Sequence, residues 1–71
     1  RLEAEDLRSR LWEGLQTLPE ELREVFVLYH FQGLKYREIA AACDVPIGTV
    51  MSRLHTARKR LHTAAGLEET T

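Results

Sequence analysis

The sequence predicts an all-α fold: a four-helix domain whose last two helices form a C-terminal helix-turn-helix of the DNA-binding kind, without a wing. Three observations carry that expectation. Apolar residues recur at three- and four-residue spacing through most of the 71 residues, which is the helical period. No stretch shows the alternation of a half-buried strand. The segment Asp44-Val45-Pro46 interrupts the final helical run, and proline can begin a helix there but cannot continue the preceding one.

The first helix is expected from Glu5 to Leu18, with Leu7, Leu11, Leu15 and Leu18 on one stripe. Asp6 near its start suits the positive end of the helix dipole. Gly14 inside the run costs about 1 kcal/mol relative to alanine. Trp12, beside the stripe, is expected at the core or its edge, with a partner-facing position as the alternative.

Pro19 opens the second helix, followed by Glu20 and Glu21 in the first turn, where proline and acids are both favoured. The run Val25-Phe26-Val27-Leu28-Tyr29 is apolar nearly all round, the pattern of a helix buried on several sides. This helix is therefore expected to be the central strut, with Gly33 supplying a left-handed residue after it.

The third helix is expected from Tyr36 to Cys43, with Ile39, Ala40 and Cys43 facing inward. Glu38 follows Lys35 at capping-box spacing, but an ammonium group accepts no hydrogen bond, so this end forgoes about 1 kcal/mol of capping. It gains a positive charge where a phosphate can lie. Asp44 suits the left-handed backbone of a tight turn, and small Ala40 permits close helix approach. The fourth helix is expected from Ile47 to Ala64. The chain is thus read as one domain, 1–71, with helices one and two in residues 1–33, the helix-turn-helix in 34–64 and a polar tail in 65–71.

On the fourth helix, Ile47, Val50, Leu54, Ala57 and Leu61 form one stripe, expected to pack on helices two and three. The opposite face carries Gly48, Thr49, Ser52, Thr56, Lys59 and Thr63, with Arg53 and Arg60 on one flank and His55 on the other. It is small and polar towards its start and cationic towards its end. Close approach, donors for base edges and cations for phosphates are what a DNA-reading helix requires. A basic last turn also suits the helix dipole without any ligand, so charge alone does not decide. The position of this helix, second of two joined by a three-residue turn, is the stronger sign.

Composition bounds the rest. The net charge of −1 divides unevenly: −3 over residues 1–34, +4 over 35–65 and −2 from Glu68 and Glu69. An acidic first half on a basic second half suggests two surfaces with different partners. Cys43 is the single cysteine, which excludes an intrachain disulfide and suits a reducing, cytoplasmic setting. No apolar run has the roughly 20 residues of a membrane span, so no membrane insertion is expected. His55 and His62 share one side of a helix while His30 lies elsewhere, and no acid or thiol completes a metal site. No glycine-rich phosphate loop or nucleophile–base pair is present. No cofactor and no enzymatic activity are expected. The chain begins with Arg1 rather than Met and is expected to be a piece of a longer protein.

The stretch LPEELREVFVLYHFQGLKYREIAAACDVPIGTVMSRLHTARKRL, Leu18 to Leu61, resembles region 4 of bacterial RNA polymerase sigma factors, most closely those of the extracytoplasmic-function (ECF) group. PIGTVMSRLHTARKRL is its most specific part. The resemblance implies a domain that recognises the −35 promoter element. Met51, Ser52, His55 and Thr56 would face bases, while Thr49, Arg53, Lys59 and the start of the third helix, Lys35 and Tyr36, would meet phosphates. It implies docking of the RNA polymerase β flap on the first two helices, and in many members an anti-sigma factor that covers these surfaces. Three positions depart from the family pattern. Relatives usually carry Lys or Arg at Met51, often Arg at Thr56, and usually Ser or Thr at Lys35. The first two changes remove cations from the reading helix, and Met51 instead offers an apolar group to a thymine methyl. Two other readings stay open: the output domain of a two-component or quorum-sensing regulator, and a protein-interaction module whose helix-turn-helix no longer binds DNA.

Overall fold

The computed structural model describes the backbone of residues 4–64 and the side chains of residues 8–63. It contains α1 (Ala4–Gln16), α2 (Glu20–His30), α3 (Tyr36–Cys43) and α4 (Ile47–Ala64), with no strand among the described residues. The expected tail, the ion partner of the first helix dipole at Asp6, and Leu7 of the apolar stripe lie outside the described side chains.

α1 ends two residues earlier than the leucine stripe suggests. The Gly14 carbonyl accepts from the Thr17 N–H at 3.1 Å and from Thr17 Oγ1 at 2.7 Å, and the Leu18 N–H turns back to Leu15 at 3.2 Å. Thr17 thus tightens the last turn and spends the carbonyl that would carry the helix onward. Leu18, outside the helix, is still buried. Pro19 stands just before α2, and its carbonyl accepts from Leu22 and Arg23, each at 3.1 Å.

α2 closes by widening. The Val27 carbonyl accepts from both Phe31 and Gln32, at 3.0 and 3.2 Å, and Gly33 at φ +70° brings the Leu34 N–H to the Leu28 carbonyl at 3.0 Å. α3 closes on Asp44, at φ 58° and ψ 49°, the left-handed conformation expected of it. The Val45 N–H reaches Ala40 at 3.0 Å and the Asp44 N–H reaches Ala41 at 3.3 Å. That bond pair is a Schellman closure with aspartate where glycine is usual. At the start of α3 only half a capping box forms: the Lys35 N–H donates to Glu38 Oε1 at 2.7 Å. The reciprocal half needs a side-chain acceptor that lysine lacks.

Two apolar clusters form the core, both built on α4. Leu15 and Leu18 pack with Ala57 and Leu61, flanked by Leu22 and Phe26. Val25 and Ile39 pack with Val50 and Leu54, flanked by Leu28, Tyr29, Leu34, Tyr36, Ala40, Cys43 and Val45. The central strut is therefore α4, which packs against all three other helices, and not α2. On α2 only Val25 is fully buried, and Phe26, Val27, Leu28 and Tyr29 are half-buried. In so short a chain there are too few elements to cover a helix on every side. The α4 stripe meets α2 and α3 as expected, but its second half meets α1 instead.

Candidate nucleic-acid interface

α3 crosses to α4 through the three-residue turn 44–46. Val50 and Leu54, each fully buried, occupy the angle where α4 meets α2 and α3. Burying a leucine and a valine contributes on the order of 1.5–3 kcal/mol each, enough to hold the outer face of α4 rigidly relative to α3. Ser52, His55, Thr56 and Lys59 stand exposed along that face, with Lys35 exposed at the start of α3. The first turn of α4 carries no acid, so the positive end of its dipole is left for an anion such as phosphate.

Three of the expected site residues are less open than the helical wheel implies. Thr49 and Arg53 are half-buried, because they lie on the flank of α4 that turns towards α3 and α2. Arg53 lies close enough to the Cys43 thiol for its charge to act on it. Tyr36 is half-buried, its ring 5.2 Å from that of Tyr29 and packed on the second cluster. It helps to seat α3 on α2.

Ile47 corrects the expected apolar stripe. It is 44 % exposed, and Met51, one turn later, is 48 % exposed. The turn residue Val45 packs on the core cluster instead, so the first residue of α4 projects beyond the helices that cover the rest of the stripe.

A second surface lies on the other side. Trp12 is 61 % exposed, which excludes the core and leaves the core edge or the partner-facing alternative; Phe31 is 62 % exposed. Both line an apolar groove with Arg8, Leu11 and Leu15. α1 has its strongest packing on α4 and turns Leu15 into that contact, so Trp12, three residues earlier, falls on the rim. Periodicity places Trp12 beside the stripe but cannot say which helix stands opposite.

Between these surfaces is a mixed groove lined by Leu11, Phe26, His30, Arg58, Leu61 and His62. The Arg58 guanidinium sits 5.6 Å above the Tyr29 ring, and the His30 ring lies tilted 4.3 Å from Phe26 and edge-on 5.0 Å from Tyr29. His30, read as remote from the other histidines, is thus brought to the same groove as His62. Partial desolvation first, and the Arg58 charge second, lower the His30 pKa from 6.5. The Cys43 thiol is pushed up by burial, by the Glu24 charge and by a hydrogen bond to Glu24, with Arg53 opposing. It stays a neutral, poorly nucleophilic thiol at physiological pH. Among the described residues no three His, Cys, Asp or Glu side chains cluster as a metal site would require. No described helix is long and apolar enough to cross a membrane.

Comparison with known proteins supplies the family. The family model described as "Sigma-70, region 4" matches residues 8–61. The chain is 43 % identical over 58 residues to the ECF RNA polymerase sigma-E factor of Escherichia coli K12 and to that of Salmonella typhi, covering 82 % of this chain and 30 % of each relative. It is 37 % identical over 60 residues to the RNA polymerase sigma-H factor of Pseudomonas aeruginosa, covering 84 % of this chain and 31 % of that protein. The chain therefore spans about a third of the length of the curated relatives it matches. The match takes in both helices of the exposed polar and cationic face and the two helices beneath them. With a helix-turn-helix built on α4 and a family match across all four helices, the chain belongs to the sigma-70 region 4 family, a DNA-binding regulatory module and not an enzyme.

Proposed function

We propose that this domain recognises the −35 element of promoters and docks on the β flap of RNA polymerase, directing transcription initiation in the cytoplasm. The observation that carries the DNA half is the exposed row Ser52, His55, Thr56 and Lys59 on the second helix of a helix-turn-helix. In this reading α4 enters the major groove. Met51, Ser52, His55 and Thr56 meet base edges, while Thr49, Arg53 and Lys59 meet phosphates. Lys35 and Tyr36 place a charge and the first N–H groups of α3 at a further phosphate. The docking half rests on the apolar groove at Trp12 and Phe31, which lies away from the α4 reading face and leaves both surfaces usable at once. An anti-sigma factor that covered either surface would silence the domain.

The test is promoter binding by RNA polymerase holoenzyme carrying the Ser52→Ala/Arg53→Ala double variant. Occupancy of the −35 element is expected to fall by tenfold or more, since good base and phosphate contacts contribute about 1–3 kcal/mol each. Unchanged transcription from the factor's own promoter would sink the reading. With roughly four to six phosphate contacts, the isolated domain should bind DNA weakly, with log K falling against log salt at a slope of about −4 to −5. An operator bound tightly without polymerase would point instead to a regulator's output domain.

A further inference from the structure

Ile47 and Met51 are the large apolar side chains that α4 leaves open among the described residues. They are four residues apart, so they are neighbours on the helix surface and share one strip. Their separation along the axis is about 6 Å, close to two base-pair steps at about 3.4 Å each. The fold does not need this strip. Val50 and Leu54, which bracket Met51 on the inner side, are already fully buried. Gly48, beside Ile47, has nothing within 4 Å of the place a Cβ would take, so the strip is not shielded from its reading side.

A single exposed apolar residue is ordinary on any surface and carries no meaning. Here two stand together at the start of the helix that presents Ser52 and His55, where the face is continuous with the proposed reading surface. Within the major groove the apolar group on a natural base edge is the 5-methyl of thymine. We propose that Ile47 and Met51 form an apolar reading strip for thymine methyl groups, giving this domain a preference for thymines one or two steps apart in its −35 element. This rests on the promoter-recognition reading above and names the base chemistry of that same site. The two residues differ in manner. Ile47 is β-branched and stiff at χ1, so the base it meets is strictly selected. Met51 is unbranched and adaptable, and tolerates a shift of one step.

The test uses holoenzyme and a −35 element selected from a randomised duplex. Each thymine of the selected element is replaced singly by deoxyuridine, which removes the methyl and keeps every hydrogen-bonding group. One or two positions are expected to lose about fourfold in affinity, the factor that burying one methyl gives. Ile47→Ala and Met51→Ala should each abolish the thymine–uracil difference at one position, read as the ratio of the two affinities within each variant. Both side chains are exposed, so neither variant threatens folding. Selection of an element in which no thymine is sensitive to loss of its methyl overturns the strip and leaves promoter recognition standing. Sensitivity that persists in both variants also overturns it. Lower affinity of the variants for core polymerase with unchanged base discrimination overturns it too, and makes the strip a protein contact. Failure to select any element overturns promoter recognition, and the strip with it.

Discussion

The two halves of α4 lead different lives. Its first half, through Val50 and Leu54, is clamped between α2 and α3, with Val25 and Ile39 buried against it and the turn residue Val45 packed on the same cluster. Its second half, through Ala57 and Leu61, is covered by α1 and the link at Leu18, with Leu22 and Phe26 of α2 beside them among the described residues. The same helix is therefore held by α3 and α2 along the half that carries the proposed reading face, and by α1 and α2 along the half that lies against α1. The difference shows how 71 residues can carry two surfaces. The half that carries the proposed reading face has a core of its own, and α1 packs on the other end of the same helix.

The sharpest way to break this comparison is to open a cavity in each half. Leu54→Ala is expected to cost about 3–4 kcal/mol and to abolish cooperative unfolding in urea. Leu15→Ala should cost less, about 2–3 kcal/mol, because Leu15 also borders the open groove at Trp12. Hydrogen exchange should then show α1 losing protection while the amides around Val50 keep theirs. Equal loss of protection in both halves would mean that the two clusters act as one.

A smaller effect separates the surfaces by function. Trp12→Ala removes a rim residue, so stability should change by under about 1 kcal/mol. Affinity for a β-flap fragment should fall by about 2 kcal/mol or more if this tryptophan anchors the groove. DNA binding by the isolated domain should not change; loss of both activities would show that the surfaces are coupled.

Lys35→Thr probes the start of α3 from both sides. A threonine hydroxyl can accept from the Glu38 N–H and complete the half-formed capping box, stabilising the domain by about 0.5–1 kcal/mol. The same change removes one cation, and the salt slope of DNA binding should shrink by about 1. A gain in thermal stability with an unchanged slope would remove Lys35 from the interface.

The smallest effect is pH. The folded His30 holds its proton less tightly than the unfolded residue, so the unfolded state takes up more protons as pH falls through 6.5 towards the lower folded pKa. Stability contributed by neutral His30 is present above pH 6.5 and is lost across that window. His30→Gln should flatten the dependence between pH 7 and 5 measured by thermal melts.

Much of this was legible in the residues. The limits of α3 and α4, the left-handed Asp44 and the break at 44–46 follow from local chemistry, because proline, aspartate and helical period act over a few residues. The motif around Gly48 to Leu61 was enough to point to the family. The misplaced residues, Trp12 and Ile47, both sit at the margin of an apolar stripe. Periodicity says which residues share a face but not how far along a helix its cover extends.

The sequence by itself determined four helices, the turn at 44–46 with its left-handed Asp44, and the kind of surface α4 presents, because each depends on hydrogen bonds and side-chain spacing within one or two turns. Only the tertiary structure decided that α4 rather than α2 is the centre, that Trp12 and Phe31 meet in an open groove, that His30 joins His62, and that Ile47 stands beside Met51 in the open. Those outcomes depend on which helices lie against which, and in a domain this small there is not enough chain to bury every apolar residue. The ones left out mark where further partners are to be sought.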